Sequence, residues 1–446
     1  MKRNVFVFSL LAAFGAAALA GCSSQEKQSI SETNQPPLAE PSPPAAAKPE
    51  TAPEPVTLMM MDQNSLNEFD FELMFVRPIE KKYPHIKVVK TSTNNITQLL
   101  ASGEVPDLIT THNGNFGVFD DLKLLYDHTE LAKSMQLDLT RFDPIVLKAL
   151  AITGPTALNG IPYSLNFSAL YYNKDLFDTF GVPYPPDGMT WDEAIELGKK
   201  MTRKLGDVQI RGLDPYALTR FQRILGNTFY DPVTNKSTLN TPEWKRIFEF
   251  TKSIITIPGN EWTDAEVKNA VSAEANFYQK RISAMYGGNN MVPRLEKPTQ
   301  EGLNWDVAQY PSMPERPNIF NDIDAHLTFI TSASKHKEEA IKVLAELISE
   351  ETQMELVRKT GRKSPLSDPK YDAAFAQDMP FAKDKNHAGV FKSHFTNSPV
   401  RPKYFSQANT YIKEAFYNYY HGQDVNSALR EADEKMNKFL EAEANK

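Results

Sequence analysis

Cys22 is the only cysteine in 446 residues, so any thiol chemistry of this chain depends on that one side chain. It follows Leu19-Ala20-Gly21 and, before these, Lys2 and Arg3 and an uncharged, mostly apolar run that starts at Val5. A basic start, a short apolar stretch and small residues at its end are typical of a secretory signal peptide. We therefore predict that residues 1–21 are a signal peptide and that the mature chain begins at Cys22.

The sequence from Leu19 to Cys22 resembles the lipobox of bacterial lipoproteins. In that family the cysteine thiol takes a diacylglycerol, the chain is cut before the cysteine, and the new N-terminus is usually acylated. The resemblance implies a palmitate-bearing lipoprotein anchored on the extracellular face of the cell membrane. After the signal peptide no apolar stretch is long enough to span a bilayer, so the lipid is predicted to be the only membrane link. The alternative is a plain secretory signal followed by an ordinary cysteine.

Composition restricts the partners and divides the chain. The formal net charge is −7 and there is no long basic block, which disfavours nucleic acid as a partner. A single cysteine excludes an intramolecular disulfide, and 41 % hydrophobic residues suit a large globular protein. Residues 22–55 are predicted to be a disordered linker, because eight of the 21 residues from Gln35 to Pro55 are proline. The folded domain is predicted to cover residues 56–446.

Polar side chains follow the predicted strands at the start of this domain. Strand-like and helix-like segments alternate in the order Val56–Met61, Leu66–Lys82, His85–Lys90, Ile96–Ser102 and Val105–Thr111. This alternation predicts a parallel sheet covered by helices, and therefore an α/β fold. In such sheets, ligands bind beyond the carboxyl ends of the strands, where the sequence has Asp62, Asn64, Thr111, His112 and Asn113.

Two later helices have recognisable start signals. Thr190 and Glu193 form the sequence pattern of a capping box, in which each side chain satisfies a backbone N–H group of the other residue. Ser334 is predicted to cap a helix whose apolar side chains from Ala340 to Ile348 share one face.

Catalytic signatures are absent from the sequence. There is no Gly-x-Ser-x-Gly motif and no His-Glu-x-x-His motif, and none of the eight histidines has a second one at i+3 or i+4. Asp322 and Asp324 are two residues apart on one predicted strand, so they face the same way without an opposing carboxylate. We therefore expect no enzymatic activity, no metal site and no cofactor; the alternative is an exported hydrolase, which would show turnover.

Several motifs occur in a fixed order along the domain. Gly160-Ile161-Pro162-Tyr163 and Leu170 to Phe177 come first, then Gly181, Pro185-Pro186 and Thr190 to Glu193. Further matches lie at Phe277 to Gly288, Asn304 to Pro311 and Ser332 to Ser349. Together they resemble family 1 extracellular solute-binding proteins, which include the sugar-binding components of ABC importers. The chain departs from that pattern at Asn289 and Asn290, where the family often has a tryptophan, and from Phe320 to His326.

The resemblance implies a two-lobe α/β fold in which hinge strands join the lobes and a ligand binds in the cleft between them. Lobe 1 would comprise about 56–163 and 326–362, and lobe 2 about 164–325 and 363–446. The ligand would shift the population toward a closed state, because it contacts both lobes only there. The candidate ligand-binding residues are Asp62, Asn64, Thr111, His112, Asn113, Asn166, Phe167, Tyr286, Asn289, Asn290, Asp322, Asp324 and His326.

The implied function is capture of a small-molecule solute, above all an oligosaccharide, and delivery to ABC permease subunits by a monomeric, membrane-anchored protein. Asn and Asp at turns also occur for backbone reasons, so each polar candidate has a structural alternative. Peptides, polyamines and phosphosugars remain alternative ligands, and the histidines could meet an acidic sugar at lower pH. A sensory co-receptor or an adhesion lipoprotein on the same scaffold remains an alternative role.

Overall fold

The computed structural model describes residues 53–397 and 404–445. The predicted signal peptide, Cys22 and the linker up to residue 52 lie outside the described residues. In the part of the chain that is described, no helix combines the length and the apolar character that crossing a bilayer demands.

The strands are numbered here in chain order. They are β1 (Val56–Asp62), β2 (Ile86–Lys90), β3 (Leu108–His112), β4 (Ile161–Leu165), β5 (Ser168–Asn173), β6 (Arg203–Leu205), β7 (Val208–Ile210), β8 (Asp214–Pro215), β9 (Tyr230–Asp231), β10 (Lys236–Ser237), β11 (Met285–Asn289), β12 (Trp305–Ala308), β13 (Ile319–Asp322), β14 (Ala325–Ile330) and β15 (His394–Thr396).

The α-helices are numbered in the same way. They are α1 (Glu68–Phe71), α2 (Arg77–Lys82), α3 (Ile96–Ser102), α4 (Phe116–Asp121), α5 (Thr129–Ser134), α6 (Pro144–Lys148), α7 (Lys174–Phe180), α8 (Trp191–Met201), α9 (Leu218–Leu225), α10 (Pro242–Ile255), α11 (Asp264–Asn269), α12 (Ala275–Tyr278), α13 (Glu296–Gln300), α14 (Lys337–Leu347), α15 (Glu350–Lys359), α16 (Pro369–Ala373), α17 (His387–Val390), α18 (Phe405–Tyr420) and α19 (Val425–Ala444).

The first sheet has five strands in the order β2-β1-β3-β14-β4. Strand β1 is parallel to both β2 and β3, which confirms the predicted strand–helix–strand pattern, while β14 is antiparallel to β3 and β4. Both faces of the sheet are buried: Met60 and Leu108 pack into one hydrophobic cluster, and Met61 and Ile109 pack into another on the opposite face. Burial of both faces explains why these strands have continuous apolar runs.

Two predicted helix starts differ from the structure. The helix expected from Leu66 begins only at Glu68, because Asn67 accepts the N–H of Asp70 as N-cap; a π-helical turn, Glu72–Val76, then separates α1 from α2. Ser334 does not cap α14, which begins at Lys337 without a side-chain cap. Its hydroxyl donates instead to Oδ1 of Asp107 at 2.6 Å.

The second sheet has four strands in the order β12-β5-β11-β8. Strand β5 is central and antiparallel to both β11 and β12. The predicted capping box of Thr190 and Glu193 is present at the start of α8, and it places Trp191 at the first helical position. The Trp191 ring is fully buried and meets Phe221 and Tyr310 edge-on, so this helix is fixed to the sheet by aromatic packing.

Adjacent chain segments join the two sheets. The chain passes from β4 in the first sheet to β5 in the second through Asn166, whose N–H donates to the Asp324 carbonyl at 2.8 Å. Asp324 lies between β13 and β14, and the N–H of Leu165 donates to the Lys363 carbonyl at 2.9 Å. These segments therefore lie side by side where the chain leaves the first sheet. The lobe boundaries near 163, 326 and 362 stay a prediction.

His128 ties a loop to the first sheet and titrates far from its ordinary range. The N–H of Ile330 in β14 donates to Nε2 at 2.8 Å, so Nδ1 carries the proton and donates to the Leu158 carbonyl at 2.7 Å. Burial is the largest cause that lowers the pKa of His128, to about 4. The neutral ring is thus the form that the fold requires.

We expect His128 to make the fold acid-sensitive. Because its pKa is lower in the folded chain than in the unfolded one, the unfolded chain binds more protons and stability falls as pH drops from about 6.5 toward about 4. The loss from this group between pH 7.5 and pH 5 is roughly 2 kcal/mol. Urea unfolding of His128→Asn should show lower stability at pH 7.5, from the lost Ile330 bond, but a shallower fall toward pH 5.

The control variant is His394→Asn, because the His394 side chain lies on β15 and is exposed to solvent. It should keep the pH dependence of the unsubstituted chain. An unchanged acid slope in His128→Asn would contradict the assignment.

Candidate functional site

Two adjoining cavities open between the sheets. The first, called here the Arg362 cavity, has a volume of about 400 Å³, and the second, the Arg220 cavity, has about 420 Å³. Both have walls from β14 of the first sheet and β11 of the second. The residues that line both are Asn166, Tyr216, Asn289 and His326. One polar cleft with two compartments therefore lies where the two sheets face each other.

Tyr216 supplies an aromatic ring to both compartments. It follows β8, and its backbone is fixed because its N–H donates to the Gly287 carbonyl at 2.8 Å. A Cβ at Gly288 would lie 2.4 Å from Cε1 of Tyr286 and 3.0 Å from Cβ of Tyr216. Glycine at position 288 is therefore required for Tyr216 to lie this close to β11.

Ion pairs hold the charged side chains of the Arg362 cavity. Nη2 of Arg362 donates to Oδ2 of Asp70 at 2.8 Å, which connects α1 to the segment after α15. Nη1 of Arg362 lies 3.4 Å from Nδ1 of His326, which can only accept from it. Burial and then the Arg362 charge lower the pKa of His326 to about 4, so its ring is neutral near pH 7. Arg294 and Glu274 line the same cavity, and Nη1 of Arg294 lies 2.6 Å from Oε2 of Glu274.

The Arg220 cavity contains two arginines of α9. Nη1 of Arg223 pairs with Oδ2 of Asp324 at 3.1 Å, and its Nε pairs with Asp322. These bonds attach α9 to the segment that joins β13 to β14. Arg220, one turn earlier, is 3 % exposed and lies with its guanidinium carbon 5.5 Å from the Tyr216 ring centroid. Burial and then the neighbouring Arg223 charge lower the pKa of Arg220.

The cleft brings together part of the residue set predicted from sequence. The predicted residues that line one or both compartments are Asn64, His112, Asn166, Asn289, Asn290, Asp324 and His326. Asp62 lies elsewhere, in a separate cavity of about 470 Å³, with Nζ of Lys90 at 3.2 Å from its carboxylate.

Besides Asp62, five predicted residues line neither compartment, for structural reasons. Phe167 is buried against the rings of Phe320, Phe375 and Phe391. Tyr286 is a residue of β11, and its side chain is completely buried. The buried Asn113 amide uses both of its ends, donating to the Ile323 carbonyl and accepting the N–H of Ala325. The Thr111 hydroxyl donates to Gln63, and Asp322 pairs with Arg223.

Several residues at the cleft were not among the sequence candidates. They are Asp70, Tyr216, Arg220, Arg223, Glu274, Arg294, Arg362 and Lys413. Arg220 and Arg223 had a usable signal, because their spacing of three residues puts both on one face of α9, whose apolar residues Leu218, Phe221 and Ile224 are buried. The others lie in loops or far apart in sequence, where spacing carries no such information. Among the described residues there is no cluster of His, Cys, Asp and Glu that could hold a metal ion.

Two α/β sheets joined by adjacent crossing segments, with a polar cleft between them, define a two-lobe binding protein rather than a single-sheet fold. The family model for bacterial extracellular solute-binding proteins matches residues 63–354. The chain belongs to this family.

Solved structures show the same fold. An ABC substrate-binding protein from Listeria monocytogenes in complex with cycloalternan has a TM-score of 0.69 at 19 % identity, covering 87 % of this chain and 99 % of that one. The sugar-binding protein MalE from Xanthomonas citri has a TM-score of 0.66 at 18 % identity, covering 87 % and 98 %. At these identities the likeness concerns the fold alone, and it confirms the expected α/β two-lobe class.

Curated relatives match over shorter stretches. An arabinooligosaccharide-binding protein of Halalkalibacterium halodurans is 32 % identical over 100 residues, which is 22 % of this chain and 22 % of the relative. A multiple sugar-binding protein of Streptococcus mutans is 27 % identical over 146 residues, or 32 % and 33 % of the two chains. The matches thus span about a fifth and a third of these relatives.

Proposed function

We propose that this solute-binding protein captures a sugar, above all an oligosaccharide, in the cleft shared by Asn166, Tyr216, Asn289 and His326. The observation that carries the proposal is the lining: amides and a neutral imidazole that can hydrogen-bond hydroxyls, around an aromatic ring that can cover the apolar face of a sugar. The sugar-binding relatives and structural neighbours support the same class of ligand.

In this proposal the protein is a monomeric lipoprotein on the extracellular face of the membrane, held there by Cys22 alone. It delivers the sugar to the permease subunits of an ABC importer and does not hydrolyse it. The family match and the names of the structural neighbours support the transport role. Nucleic acid has no part in it, in keeping with the net charge of −7.

The test is calorimetric titration of the purified full-length chain in mild detergent with malto-, manno- and arabino-oligosaccharides and with short peptides and polyamines. We expect saturable binding of at least one sugar, and mass spectrometry should show that the sugar is unchanged after prolonged incubation. Binding only of peptides or polyamines would overturn the sugar assignment, and new cleavage products would overturn the non-catalytic role.

Lipid attachment at Cys22 has its own test. Because this is the only cysteine, labelling cells with an alkyne analogue of palmitate and purifying the protein reports on one site. We expect the label and membrane-fraction recovery for the unsubstituted chain, and no label for Cys22→Ser, since the thiol that takes the diacylglycerol is missing. Equal labelling of both chains would contradict the anchor.

A further inference from the structure

Arg220 is a buried cation without a carboxylate partner among the described residues. Its Nη2 donates to Oδ1 of Asn289, a neutral acceptor. Nε and Nη1, which carry three of the five N–H donors of a guanidinium, have no acceptor within the described ranges. Burying a charge without an opposite charge is costly, so the position favours arrival of an anion.

The neighbouring arginines differ in this respect. Arg223, Arg294 and Arg362 also line the cleft, and each pairs with a carboxylate at 3.1 Å or less. Arg211, between β7 and β8, is also buried, and its Nη1 lies 3.0 Å from Oε2 of Glu266. A missing partner is therefore a property of Arg220 and not of arginines in this fold.

A second cation lies in the same cavity. Lys413 on α18 is half-buried and forms no ion pair with any residue that the structure describes. The described residues that line this cavity include three cationic side chains, Arg220, Arg223 and Lys413, but only one carboxylate, that of Asp324.

On the basis of the proposed sugar-binding function, we propose that the Arg220 cavity binds the carboxylate of an acidic sugar, a uronic acid unit of an oligosaccharide. Arg220 and Lys413 are the cationic contacts. The carboxylate displaces the Asn289 oxygen from Nη2 of Arg220, because Nε and Nη1 are covered by protein. This exchange replaces a neutral acceptor by a charged one, which forms a shorter and stronger hydrogen bond.

A carboxylate suits the cavity better than a phosphate ester. Asp324 lines the same cavity, and Asp322 lies just behind it on Arg223. A phosphate group carries about −1.5 to −2 charges at neutral pH and would be repelled more strongly by these carboxylates than a group with a single charge. The sugar phosphate is therefore the alternative that the experiment has to separate.

The experiment is calorimetric titration of the full-length chain in detergent at pH 7.5. The acidic probes are trimers of galacturonate, mannuronate and guluronate. Their methyl esters keep the sugar ring and the carbonyl, add one methyl group per unit and remove the charge. Maltotriose, mannotriose and glucose 1-phosphate complete the panel. We expect one uronate trimer to bind, and its methyl ester to bind at least about 30-fold more weakly, as for loss of a buried charged pair.

The variants are Arg220→Met and Lys413→Met, with Arg203→Met at an exposed position as the matched control. Arg220→Met should weaken uronate binding at least about 30-fold while changing methyl-ester binding much less, and Lys413→Met should weaken it by a smaller factor. Arg203→Met should leave both affinities unchanged. If Arg220→Met does not fold, the acid–ester comparison and Lys413→Met carry the test.

The outcomes separate this inference from the proposed function. Neutral trimers that bind as tightly as the acids, or esters that bind equally well, would overturn the inference and leave sugar binding intact. Binding of glucose 1-phosphate but of no uronate would overturn the carboxylate assignment. Failure of every sugar in the panel to bind would overturn the sugar-binding function itself.

Discussion

Replacing Tyr216 by alanine is expected to weaken sugar binding by about 30-fold or more. Truncation of a central aromatic residue in a desolvated site typically costs about 2 kcal/mol or more, which corresponds to that factor. Tyr216 has this central place because it lines both compartments and because Arg220 lies against its ring. The measurement is the Kd of the tightest-binding sugar found in the titrations described above.

Two control variants separate the ring from the fold. Tyr216→Phe keeps the ring and should retain most of the affinity, whereas Tyr184→Ala removes an exposed tyrosine that lines neither compartment of the cleft and should change nothing. The backbone bonds of Tyr216 to Gly287 and Ser272 do not involve the side chain, so the alanine variant should still fold, with a lower unfolding midpoint from the lost packing of the ring. Unchanged affinity in a folded Tyr216→Ala protein would show that sugar does not contact this ring.

Arg211→Met is expected to lower the free energy of unfolding by about 3–5 kcal/mol, the usual cost of leaving buried carboxylates without their cation. Nη1 of Arg211 lies 3.0 Å from Oε2 of Glu266, and its other terminal nitrogen pairs with Asp214. All three side chains are buried, Asp214 completely. Urea unfolding at pH 8 measures the loss. Arg246→Met, which breaks an exposed pair with Glu315, is the matched control and should cost no more than about 1 kcal/mol.

The same variant should respond to pH in a defined direction. Burial raises the pKa of Asp214 to about 6 even with Arg211 beside it, and without that charge the folded-state pKa rises further. A carboxyl group whose pKa is raised on folding stabilises the folded chain at acid pH and loses that contribution as pH increases through the folded pKa. The deficit of Arg211→Met should therefore be smaller at pH 5 than at pH 8. A deficit that grows toward acid pH would contradict this account.

This buried network also bears on the cleft. Asp214 of β8 lies opposite Tyr286 of β11 in the register of these two parallel strands, and Tyr216 comes two residues after Asp214. The Asp214 carboxylate accepts the hydroxyl of Ser283 at 2.7 Å, just before β11. The charges of Arg211 and Asp214 therefore fix the strand pair from which Tyr216 and Asn289 reach the cleft, and a stability defect at Arg211 should be accompanied by weaker sugar binding.

The sequence predicted the elements better than it predicted the site. The parallel strands β1, β2 and β3 and the capping box of α8 depend on apolar periodicity and on side chains a few residues apart, which can be recognised locally. Ser334 shows the limit of such reasoning. Its hydroxyl accepts the N–H of His336 and donates to Asp107, 227 residues away, and α14 begins only at Lys337.

The class of the protein could be recognised from local patterns alone, namely the α/β alternation of strands and helices and the ordered motifs of the solute-binding family. Which polar side chains face the cleft depends on how distant segments pack together, and no local pattern predicts it. Asn113 follows the last residue of β3 and Asn289 is the last residue of β11. The Asn113 amide is bonded to the backbone of Ile323 and Ala325, more than 200 residues away, while Asn289 lines both compartments. Arg223 is neutralised by Asp322, 99 residues further on, and Arg220 is not. Burial and charge pairing depend on contacts between distant segments, so no local pattern could have separated these residues.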